Sequence, residues 1–107
     1  MVFDKRGVSP HEAKHSRDAE LDFKVTVRRN KLAGLWAAEL LGLIGQAAHD
    51  YAKQVVHSDF DEPGEEDVVR KLDSDLKGKA TLHEIREKMS HFLHVARDQI
   101  MGEHKKD

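Results

Sequence analysis

The chain has 107 residues, a formal net charge of −2 and a pI near 6.4, so it fits one small domain and lacks the Lys and Arg excess with which a general nucleic-acid binder neutralises phosphates. The absence of cysteine removes disulfides, thiolate metal sites and Cys nucleophiles together, and is compatible with the reducing cytosol. A domain of this size buries roughly 60–65% of its unfolded surface, which leaves little room for a deep catalytic cleft.

In chain order, the N-terminus "MVFDKRGVSPHEAKH" has charges where a signal peptide needs an apolar run, so no export signal is expected. Before Ala19 the apolar side chains after the initiator are Val2, Phe3, Val8 and Ala13. Residues 1–18 are therefore read as a mobile N-terminal arm and 19–107 as a helical bundle. Within the arm, "SPHE" (Ser9 to Glu12) is a capping box with Pro10 at the first helical position, where its missing amide costs nothing. It predicts a helix that begins at Ser9 and runs on through "AKHSRDAELDF".

From Ala19, the positions Ala19, Leu21, Phe23, Val25 and Val27 alternate with polar residues, the period of a half-buried strand. A lone strand has no partner in an otherwise helical chain, and "AGLWAAELL" downstream is rich in helix formers, so helix is expected. Wound at ~100° per residue, Leu21, Val25, Leu32, Leu35, Trp36 and Leu40 share one broad face. Phe23, Val27, Ala38 and Leu41 fall roughly on the other side, which predicts a central helix with Trp36 as an anchor. The apolar run Leu32–Ile44 is interrupted by Glu39 and falls short of the ~20 residues of a membrane span, and Gly34, Gly42 and Gly45 weaken an interfacial helix.

A basic cluster, Arg28, Arg29 and Lys31, sits inside this segment. Such a run is ordinarily a solvated helix face; its functional alternative is a site for an anionic ligand, a nucleotide phosphate included. Arg28 falls on the apolar face and so requires an acidic partner or an interface.

Ala47, Ala48, Tyr51, Ala52, Val55 and Val56 predict a second helix from Ile44. "DFDEPGEEDVVR" (Asp59 to Arg70) opens like a calcium loop, but Pro63 occupies the fifth position and Arg70 stands where a bidentate Glu is required, so it is read as an acidic helix start. Val68, Val69, Leu72 and Leu76 predict a third helix, ended by Gly78. "TLHE" is a second capping box, Thr81 with Glu84, that starts a fourth helix carrying Leu82, Ile85, Met89, Phe92, Leu93, Ala96 and Ile100.

The eight histidines include pairs at helical spacing, His11 with His15 and His91 with His94, yet no third ligand is placed, and "HEIRE" lacks the second His of a zinc-protease helix. With no phosphate loop or nucleophile elbow either, the sequence predicts neither an enzyme nor a metal site.

The segments "FDKR", "EAK", "DAELDFK", "RRNKLAGLWAAELLG", "YAKQVVHSDFDEPGEEDVVRKL", "IREKM" and "ARDQI", spread over nearly the whole chain, resemble the zeta subunit family, inhibitors of the F-type ATP synthase of alphaproteobacteria. The resemblance implies an all-α four-helix bundle with a mobile N-terminal arm. It implies a non-enzymatic regulator, cytoplasmic and peripheral at the inner membrane, monomeric when free. Its partner would be the soluble catalytic head of the synthase, into which the arm inserts as a helix to block ATP hydrolysis. The matching arm positions, and so the candidate contacts, are Phe3, Asp4, Arg6, Glu12, Ala13, Lys14, Asp18 and Glu20. No cofactor is implied. The alternatives are a small sensor holding an adenine nucleotide weakly at Arg28, Arg29 and Lys31, or a helical scaffold for another partner.

The arm departs from the family pattern. It carries "GVSPH", and His15 where strong members have an aromatic directly after "EAK". Inside a helix Gly7 costs about 1 kcal/mol and Pro10 about 3 kcal/mol relative to Ala. The expectation is an inserted helix that starts at Ser9, with fewer anchors and weaker inhibition.

Overall fold

The computed structural model describes residues 10–59 and 64–106, with the side chains of 18–59 and 64–103. The described residues form four α-helices: α1 Pro10–Leu40, α2 Gly45–His57, α3 Glu66–Asp75 and α4 Leu82–Lys106. The architecture is the expected all-α bundle. Residues 19–27 are helical despite their alternating pattern, since a helix satisfies its own backbone hydrogen bonds whereas a single strand here would leave them unpaired.

Chemistry at the joints sets the helix lengths. After α1, Gly42 adopts φ +77°, and the Leu43 amide donates to the Ala38 carbonyl at 2.9 Å, the closure of a left-handed helix cap. Gly78 does the same job after α3 at φ +78°, with the Lys79 and Ala80 amides donating to the Leu76 carbonyl at 2.8 and 3.1 Å. At the start of α4 the expected capping box is formed: the Glu84 amide donates to Thr81 Oγ1 at 3.0 Å and the Thr81 amide to Glu84 Oε1 at 2.8 Å.

This box gives a direct test. Thr81→Ala should cost about 1 kcal/mol, the usual value of a lost cap, read by thermal or urea melting. The Glu84 carboxyl is held below its usual 4.5 chiefly by the Thr81 amide, and Glu66 likewise by its hydrogen bonds from Arg86. A carboxyl whose folded value is depressed contributes stability that is complete above the unfolded value and is lost as pH falls through the folded one. Melting temperature should therefore drop as pH is lowered below about 4.5, and Glu84→Ala should shrink that drop.

α1 is central, as predicted, with α2 and α4 packed along it. The main core joins Ala33, Ala37 and Ala38 of α1 to Tyr51 and Val55 of α2, Val68, Val69 and Leu72 of α3, Leu76, and Ile85 and Met89 of α4. A second cluster, Val25 with Ala96 and Ile100, joins the earlier part of α1 to the end of α4, with Leu21, Leu32 and Leu93 packed against it. The helical-angle estimate of the buried face needs correction. α1 buries small residues, while Leu35 and Trp36 are half-buried, Leu40 is exposed and Phe23 is 69% exposed. Small residues win because they admit the closest approach: a Cβ added at Gly34 would lie 2.8 Å from the Ala52 Cα of α2. Trp36 packs at the edge of the main core, with the Lys88 ammonium 5.8 Å from its ring centre.

Polar side chains fasten the helices to one another. Arg86 of α4 donates two hydrogen bonds to Glu66 of α3, at 2.9 and 3.2 Å. The Tyr51 hydroxyl of α2 donates to Asp75 of α3 at 2.7 Å, and burial together with that bond raises its pKa.

Candidate partner-binding surface

α1 positions most of the candidate contacts. Its backbone is helical without a break from Pro10, so positions 12, 13, 14, 18 and 20 share one rod with the bundle's central helix. Asp18, Ala19 and Glu20 are exposed, and Leu21 is the first described side chain that packs on the bundle. Phe3, Asp4 and Arg6 lie outside the described residues, as do the Ser9 cap and the side chains of Glu12, Ala13 and Lys14.

The basic cluster does not converge on one point. Arg28 turns to α4, where Nη1 donates to Gln99 Oε1 at 2.7 Å and Nη2 meets the Glu103 carboxylate at 3.0 Å. It thus has the acidic partner its place on the apolar face requires. Arg29 is not on a solvated face: it is buried at 6% exposure, with Nε donating to Asn30 Oδ1 at 3.0 Å and Nη1 4.0 Å from Glu65. Burial lowers its pKa, and the nearby Glu65 and Asp59 carboxylates act against that shift. Asn30 in turn donates to Asp59 at 3.0 Å, so this buried polar pair ties α1 to the chain that leaves α2. Lys31 is exposed and shares a shallow depression of about 260 Å³ with His49, Lys53 and His57. The divergence follows from helix geometry, because consecutive residues point about 100° apart.

Sequence reasoning missed two features. Nothing in "RRN" distinguishes Arg29 and Asn30 from surface residues; only the approach of the segment after α2 buries them. Phe23 had been placed on a packed side of α1, yet it stands exposed beside an open groove of about 610 Å³ between α1 and the end of α2. A usable signal was present: of its helical neighbours Ala19, Glu20, Thr26 and Val27, only Val27 is a sizeable apolar side chain, too little for a continuous apolar stripe.

Among the described residues no group of three or more His, Asp or Glu side chains is placed to hold a metal ion, and no helix is long and apolar enough to cross a membrane.

The family described as ATPase inhibitor subunit zeta matches residues 1–99. The chain belongs to that family. The zeta-type chain is accordingly an inhibitor subunit, a regulatory protein and not an enzyme, with a role in inhibiting ATP synthase. Its fold is also that of a protein solved by solution NMR, 49% identical, with a TM-score of 0.73 over 78% of this chain and 98% of that one. No curated protein matches.

Proposed function

We propose that this zeta-type chain binds the soluble catalytic head of the F-type ATP synthase and inhibits ATP hydrolysis by inserting its N-terminal arm, with the bundle as the handle. The reading places it in the cytoplasm, peripheral at the inner membrane. The observation that supports it best is the continuity of α1: a helix beginning at Pro10 runs past its first described packed side chain, Leu21, into the bundle. A helix fixed at one end has already met part of the ordering cost, ~1–2 kcal/mol per residue, that a free arm would meet on binding.

The arm's composition makes the inhibition partial. Pro10 starts the helix and cannot be passed from upstream without losing about 3 kcal/mol, and His15 replaces an aromatic anchor. ATP hydrolysis by the purified head, titrated with the intact protein, should fall to a residual plateau. Full block at stoichiometric protein would show that the arm needs no further anchors. Unchanged hydrolysis together with undetectable binding would refute the reading.

A second reading rests on the depression of Lys31, His49, Lys53 and His57, whose cationic and titratable groups suit a phosphate. Weak adenine nucleotide binding there predicts saturable amide shifts at these positions on ATP titration; Arg28 and Arg29, engaged with Glu103 and Asn30, should move little.

A further inference from the structure

From the exposure of Phe23 and the groove beside it, we infer that the partner interface extends past the arm into the bundle, where Phe23 and Asp22 receive an apolar side chain flanked by Lys or Arg from the same partner. The inference rests on the proposed binding to the catalytic head.

Of the described Phe, Tyr and Trp side chains, Phe23 alone is exposed; Tyr51 is buried, and Trp36 and Phe92 are half-buried. The exposure follows from helix lengths. α2 runs antiparallel to α1, with Ala52 and Val55 against Gly34 and the chain just past its end against Asn30. α2 ends at His57, so among the described residues no helix continues its line along α1 past Asn30, while α4 packs on another side of α1 through Val25 and Leu21. There Ala19, Asp22, Phe23, Thr26 and Val27 wall the groove, and Val56 closes its far side.

Two observations select the occupant. First, the surface continues the arm. On an unbroken helix, positions Glu12 and Glu20 fall within about 60° of Phe23, so a partner that meets the arm along that line reaches Phe23 without changing course. Second, the lining has an acidic character that remains available. Among its described lining residues, His57 apart, the one basic side chain is Arg29, which is buried and lies near Glu65, and Asp59 already accepts from Asn30. Asp22 is exposed, with Asp18 and Glu20 exposed on the same helix end. An apolar floor with a carboxylate rim fits an apolar side chain between basic neighbours. Exposed aromatics of this kind are the usual anchors of protein interfaces, since they bury a large area at low entropic cost.

The test is affinity for the catalytic head, measured with the full chain by biolayer interferometry, alongside melting temperature and sedimentation. Phe23→Ala should weaken binding at least tenfold while leaving melting within about 2 °C, because a side chain this exposed contributes little to the fold. Phe23→Trp should retain binding, and Asp22→Lys should weaken it and reduce its dependence on salt. Wild-type affinity in Phe23→Ala would overturn this inference and leave the proposed function standing. So would a loss explained by lowered helicity, or a self-associating protein that Phe23→Ala converts to monomer. No binding by the unaltered chain would overturn both.

Discussion

Deleting the residues before Ala19 should abolish inhibition of ATP hydrolysis while leaving the bundle folded. The stability half of this expectation comes from packing: the first described side chain in either core cluster is Leu21, and Asp18, Ala19 and Glu20 are exposed. Removing the earlier residues takes nothing from the described buried set, so the melting temperature should stay within a few degrees. The binding half comes from the proposed mechanism, in which the arm supplies most of the contacts and the steric block. Losing it should weaken binding by roughly a hundredfold, which corresponds to about 2.7 kcal/mol and lies within what a few anchor residues carry in other interfaces. What persists should come from the Phe23 groove, so combining the truncation with Phe23→Ala should remove binding altogether. A truncated chain that inhibits as well as the intact one would transfer the inhibitory role to the bundle. Calorimetry for stability and a hydrolysis titration for function separate the two halves.

The second large effect is expected further along the same helix, where α2 packs on it. Gly34→Leu should destabilise the bundle by about 3 kcal/mol, at the upper end of the usual overpacking cost. Gly34 is fully helical, so its importance is space and not backbone conformation. A Cβ there meets the Ala52 Cα at 2.8 Å, the Val55 Cβ at 3.1 Å and the Ala52 Cβ at 3.2 Å. The nearest of these is backbone, which no side-chain rotation can move away. α2 must then shift as a body, loosening the contacts of Tyr51 and Val55 with the main core. Gly34→Ala is the informative control. It gains about 1 kcal/mol of helix propensity and meets the same 2.8 Å contact, so its net loss should be the smaller. For a domain of this size the Leu variant should melt more than about 10 °C lower. Both variants are read by thermal denaturation; a Leu variant as stable as the parent would show that α1 and α2 can separate freely at this point.

The sequence and the tertiary structure divide the information between them in a regular way. Helix starts and stops were legible because they are local: Thr81 and Glu84 satisfy each other's amides within four residues, and Gly42 and Gly78 relieve a positive φ at one position. The third and fourth helices were legible because each carries one apolar stripe. α1 was the hard case, since apolar residues on two sides admit more than one buried face; Ala38 was placed on a packed side, while Ala33, Gly34 and Ala37 carry too little apolar area to mark theirs.

Family and regulatory role were also carried by the sequence, in segments spread along the chain that match the zeta family over residues 1–99. What only the tertiary structure decided was which of two adjacent arginines faces α4 and which is buried, and that Phe23 of α1 stays in solvent. Those outcomes depend on where α2 stops and where the chain after it returns to α1. Such long-range distances are set by packing, whereas capping and periodicity act within a few residues of their own position.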